Sequence, residues 1–81
     1  MTYILLDENG KFLAERQYIA RISLFMDEHG KRPAPGVTYR LVCSLGAPEM
    51  AVTSETTMAD LRAFSDECEE EKEYLSDLFD D

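Results

Sequence analysis

Few side chains in this sequence could do covalent or metal chemistry: one histidine, two cysteines and a run of carboxylates. His29 stands in D-E-H-G with no serine or cysteine beside it, so it reads as an exposed turn imidazole rather than a general base. Cys43 and Cys68 show neither C-x-x-C nor zinc-ligand spacing, and two cysteines make no disulfide framework. They fit unpaired thiols in a reducing compartment. Cys43 falls on the apolar face of a strand and Cys68 on the inner stripe of a helix, where the two become core neighbours if they face each other. The acidic run lacks the D-x-D-x-D-G order of a calcium loop, so no metal site and no cofactor are expected. Paired carboxylates acting as acid and base need a cleft that perturbs one of them, and a convex helix offers none. A phosphate-binding G-x-x-x-x-G-K and a nucleophile elbow are both missing. The expectation is a protein that is not an enzyme.

The chemistry that remains is charge. Residues 66–81, D-E-C-E-E-E-K-E-Y-L-S-D-L-F-D-D, hold nine carboxylates against the single base Lys72 and account for -8 of the formal charge of -9. The first 65 residues carry eight acids and seven bases and are nearly neutral. On a helix the run stacks five like-charge pairs at i,i+4: Asp66-Glu70, Glu67-Glu71, Glu69-Glu73, Glu73-Asp77 and Asp77-Asp81. At roughly 0.2–0.5 kcal/mol each they cost about 1–2.5 kcal/mol at low salt, in a domain whose whole stability is ~4–12 kcal/mol. Asp77, Asp80 and Asp81 also oppose the helix dipole near its C-terminus. Solubility needs less charge than this. A basic partner is the physical reason to hold such a run, with Glu67, Glu69, Glu70, Glu71, Glu73 and Asp77 as its contacts. Along ~24 Å of helix the spacing is one charge per ~2.7 Å, comparable with one per ~1.7 Å of duplex DNA. The same charge disfavours direct binding of nucleic acid or of an anionic membrane.

The elements that must position this run follow from pattern. Eighty-one residues make a single α+β domain over 1–81, and 44% apolar residues are enough to fold one. Thr2 to Leu6, the turn D-E-N-G and a return strand over Lys11 to Ala14 predict a hairpin. Tyr18 to Met26 alternates apolar residues at every even position and predicts a strand. Val37 to Leu45 alternates likewise and predicts its antiparallel partner across the connection Asp27 to Gly36. Leu45-Gly46-Ala47-Pro48 is a turn, and Met50 to Thr53 a short last strand. A helix begins near Thr57, whose hydroxyl caps the N–H of Asp60, and Leu61, Phe64, Cys68, Leu75, Leu78 and Phe79 form its stripe. The expected architecture is an antiparallel sheet of four to five strands packed on one face by a single C-terminal helix.

The uncovered sheet face would then carry Ile19, Phe25 and Val42, a patch for a homodimer mate or a partner protein. Lys31 and Arg32, ahead of Pro33-Ala34-Pro35, suggest a stiff finger bearing a second, oppositely charged contact. The apolar run Tyr3 to Leu6 is too short and lacks the basic flank of a signal peptide, and nothing approaches a membrane span, so a cytoplasmic protein is expected.

Size, sheet-and-helix pattern, acidic bias over Asp66 to Asp81 and the want of an enzyme motif together resemble the small phage-encoded inhibitors that include anti-CRISPR proteins and DNA mimics. The resemblance implies a protein working in the bacterial host cell. It would bind a nucleoprotein complex with a basic groove, of the CRISPR-effector kind, and block its DNA binding or cleavage. Two other readings stand beside it: a small structural or regulatory subunit that dimerises or docks through the open sheet face, and a domain whose charge serves solubility alone.

Overall fold

A computed structural model describes residues 2–44 and 48–79, with side chains as far as residue 70. The chain opens with strand β1 (Tyr3–Leu6) and strand β2 (Phe12–Arg16), joined as the D-E-N-G turn predicts. One Asp7 carboxylate oxygen accepts the N–H groups of Asn9 and Lys11, both at 2.8 Å, and Gly10 takes φ 80°, which a side chain would oppose. The return strand extends to Arg16, with an irregularity in pairing between Leu5 and Leu6. Strand β1 pairs on its other side with β3 (Tyr39–Cys43), and β3 with β4 (Glu49–Val52), all antiparallel. The sheet has four strands in the order β2-β1-β3-β4. The α+β class and the antiparallel sheet are therefore as expected, with β3 shorter than Val37 to Leu45 and β4 one residue ahead of Met50 to Thr53. Residues 45–47 of the expected second turn lie outside the described residues.

The expected strand over Tyr18 to Met26 is instead helix α1 (Ile19–Glu28), so the sheet does not contain it, and the described residues form two helices rather than one. Two spacings coexist in Y-I-A-R-I-S-L-F-M. The alternation counts Tyr18 and Leu24 as inward, yet these are 69% and 40% exposed. The helical spacing Ile19, Ile22, Met26, with Phe25 beside it, is the one buried: Ile22 and Met26 are fully enclosed, and Ile19 and Phe25 pack against the core. The stop signal was also legible as a helix stop. Gly30 takes φ 60° just past His29, and the Lys31 N–H donates to the Met26 carbonyl at 2.9 Å, a Schellman-type closure.

Helix α2 (Met58–Phe79) starts where Thr57 predicts. The Thr57 hydroxyl accepts the Asp60 N–H at 3.2 Å, and the Asp60 carboxylate accepts the Thr57 N–H at 2.9 Å, a reciprocal box that satisfies two otherwise orphaned donors. Replacing Thr57 by alanine is expected to lower stability by about 0.5–2 kcal/mol in urea denaturation, with serine restoring most of it.

One sheet face supplies Tyr3, Leu5, Ala14, Leu41, Cys43 and Val52 to a core that includes Ile22 and Met26 of α1 and Leu61, Phe64 and Cys68 of α2. The Tyr3 ring lies 6.1 Å from Phe64, and its hydroxyl is 2.8 Å from the Ser65 Oγ. The predicted inner residues Leu61, Phe64 and Cys68 are thus in place, while the side chains of Leu75, Leu78 and Phe79 lie outside the described ones. Ile4, Leu6 and Val42 project from the opposite sheet face and stay partly exposed.

Candidate functional site

The acidic run rides on α2. Its backbone is helical to Phe79, so positions 67, 69, 70, 71, 73 and 77 belong to one continuous helix, and residues 66 and 70, or 67 and 71, sit about one turn apart. Asp66, Glu67, Glu69 and Glu70 are exposed. The side chains of Glu71, Glu73 and Asp77 are not among those described. Among the described residues the ion pair is Arg32 with Asp27, and no base neutralises Asp66, Glu67, Glu69 or Glu70. The acid at the start of α2, Asp60, complements the helix dipole; its last turn carries no base.

Cys68 interrupts the acids because its face turns inward. It is fully buried, and burial first, then the Cys43 thiol and the charges of Glu67 and Glu69, push its pKa up to about 12. A group so shifted stays a thiol at neutral pH and is a poor nucleophile. Cys43 is buried too, and both cysteines are free. Their shared place in the core matches the pairing expected if strand and helix face each other.

Beside the acids lies a cleft of about 520 Å³ between the start of α1 and the middle of α2, lined by Tyr3, Gln17, Tyr18, Ile19, Ala20, Ser65 and Glu69. The Tyr3–Ser65 hydroxyl pair belongs to its lining. Burial raises the Tyr3 pKa, so the phenol is neutral at physiological pH. Tyr18, the N-cap residue just ahead of α1, makes no side-chain cap bond and presents an exposed ring.

The other expected contacts are not brought together. Ile19 and Phe25 sit on α1 against the core, whereas Val42 points from the far face of the sheet, so the three form no single patch. The reason is the helix itself, which removes Ile19 and Phe25 from the sheet. Phe25 packs its ring 4.7 Å from His29, with the Arg16 guanidinium 5.3 Å from the ring centre. The open face is built instead by cross-strand rows, Glu15-Ile4-Val42-Glu49 and Phe12-Leu6-Arg40-Ala51. Phe12 there is 55% exposed. Same-face parity of Ile4 and Leu6 with Val42 was readable once β1 and β3 are known to pair, but the sequence does not state that pairing.

The basic finger is likewise tied down. Arg32 donates to the Asp27 carboxylate and, at 3.0 Å, to the Ser23 hydroxyl, folding the connection back on α1; Pro33 is buried. Lys31 alone of that pair extends without a described partner. The hydrogen bond from Arg32 lowers the Asp27 pKa, so this contact is intact above the ordinary carboxyl range and weakens as pH falls through the lowered value.

No group of three or more His, Cys, Asp or Glu among the described residues is placed to hold a metal ion. Among the same residues no helix is long and apolar enough to cross a membrane. No protein-family model matches the chain, and comparison with curated proteins and with solved structures finds no similar one.

Proposed function

We propose that the protein is a non-enzymatic inhibitor that binds a nucleic-acid-handling complex through the acidic face of α2 and keeps that complex from engaging or cleaving DNA. The observation that carries this reading is the row of exposed carboxylates Asp66, Glu67, Glu69 and Glu70 on one continuous helix, without a base against them among the described side chains and arranged against the stability of that helix. A rigid rod of negative charge fits the Lys/Arg groove that otherwise holds a phosphate backbone. In this role the protein acts as the phage-encoded inhibitors it resembles do, inside a bacterial host, against a target of the CRISPR-effector kind.

The test is capture from nuclease-treated bacterial lysate at low and high salt, with the wild type and a Glu67→Gln/Glu70→Gln variant. A DNA- or RNA-binding complex retained only by the wild type, and only at low salt, supports the reading and supplies its target. Capture that ignores both salt and the substitutions sinks it.

A second reading rests on a separate observation. The sheet face opposite the core places Ile4, Leu6, Val42 and Phe12 together and leaves them partly or fully exposed among the described residues, which suits a small subunit that dimerises or docks there. Such docking survives high salt and is lost on Leu6→Lys, so the same capture separates the two.

A further inference from the structure

We propose that the cleft between α1 and α2 receives an arginine side chain of the basic partner, with its guanidinium against the Tyr18 ring and paired with the Glu69 carboxylate. The inference rests on the proposed function and gives it an anchor. A row of carboxylates attracts any polycation; it does not by itself choose one.

The lining decides the ligand class. Of the seven described side chains that line it, Glu69 is the one that carries a formal charge, and it is negative. Around it, among the described residues, stand neutral donors and acceptors: the Tyr3 and Ser65 hydroxyls, which already share a bond of 2.8 Å, the Gln17 amide and the Tyr18 phenol. A cation or a neutral hydrogen-bonding group fits, and an anion is repelled by Glu69 and by the neighbouring Asp66, Glu67 and Glu70. The first turn of α1 opposes a cation with about half a positive charge at its end. The full charge on Glu69, reinforced by the rest of α2, outweighs it.

Shape then separates arginine from lysine. An exposed aromatic ring beside a carboxylate gives a planar guanidinium both a stacking surface and a forked acceptor, whereas an ammonium uses only the charge. Tyrosine and arginine are also the residue types on which interfaces concentrate their binding energy. Tyr18 is 69% exposed although it is a large aromatic at the head of a helix whose Ile19, Ile22, Phe25 and Met26 turn toward the core. Among the described residues no aromatic or hydrogen-bond partner engages that ring, and it borders the cleft.

The experiment is an NMR titration of the isotope-labelled full chain with N-acetyl-L-arginine amide and, in parallel, N-acetyl-L-lysine amide. Deca-lysine binding is measured separately by calorimetry at low salt. The expected result is that the arginine compound shifts the amides of residues 17–20, 65 and 69 and binds at least about fivefold more tightly than the lysine compound. Tyr18→Ala and Glu69→Gln should each weaken it by about tenfold, while Tyr18→Phe keeps it, since the ring face and not the hydroxyl is used. Equal effects of the two amides spread along all the acids of α2, or indifference to Tyr18→Ala, overturns the cleft. If deca-lysine still binds in that case, the acidic-helix reading survives without its anchor. If deca-lysine does not bind either, both fall.

Discussion

Ile22→Ala is expected to cost about 2–5 kcal/mol, while Leu24→Ala, two residues on, should change stability by no more than about 0.5 kcal/mol. Ile22 is fully buried on the inner side of α1, so its truncation leaves a cavity among Met26, the sheet residues and α2. Leu24 is 40% exposed on the outer side, and alanine is the better helix former. Were Tyr18 to Met26 a strand with its even residues inward, the two substitutions would cost alike. Urea denaturation of both variants reads the difference directly. Against a total of ~4–12 kcal/mol, the first change removes a substantial share of the stability and the second almost none.

That contrast also locates what the sequence could and could not disclose. The D-E-N-G hairpin and the Thr57 cap were legible because each depends on residues within four positions: a carboxylate that accepts two turn amides, a threonine and an aspartate that cap each other. The segment from Tyr18 to Met26 was not, because it satisfies periods of 2 and 3.6 at once. The choice belongs to the rest of the chain: β3 already has β1 and β4 as neighbours, so a further long strand would have had to pair at an edge. On the functional side the acidic run is visible in composition, since charge requires no partner to be read. The cleft is not, because Tyr18, Ser65 and Glu69 meet only through the packing of α1 beside α2. The open-face row Ile4, Leu6 and Val42 was hidden for the same reason, being assembled by the register of β1 on β3.

The second large effect concerns the charge on α2, and it has two opposite signs. Glu67→Gln with Glu70→Gln removes the like-charge pairs 66/70 and 67/71 within the described helix, which should raise stability by about 0.4–1 kcal/mol at low salt. The gain should vanish near 1 M salt, where the screening length is ~3 Å. The same variant should lose most of its affinity for a basic partner: deca-lysine binding at low salt is expected to weaken by about tenfold or more, with a shallower salt dependence. Thermal denaturation and calorimetry at two ionic strengths check both halves. A chain that becomes more stable and binds less well holds its charge for recognition. A chain that becomes more stable with no change in binding carries the charge for solubility alone, and the inhibitor reading is then lost.

The strand order has a further consequence, for the time course of folding. Strands β1 and β2 form one hairpin and β3 and β4 another, each closed by neighbours in sequence, but the sheet exists only when β1 meets β3. The nearest residues of that seam, Leu6 and Arg40, are separated by far more chain than Leu6 and Phe12 of the first hairpin. Since each doubling of loop length adds about 0.6 kcal/mol of closure entropy, the seam carries the larger share of the search. Helix α1 lies within that loop and shortens it by folding locally. The segment whose pattern was ambiguous is therefore also the one that spans the longest gap the sheet must close, and as a helix it covers that gap at ~1.5 Å per residue instead of the ~3.3 Å of a strand.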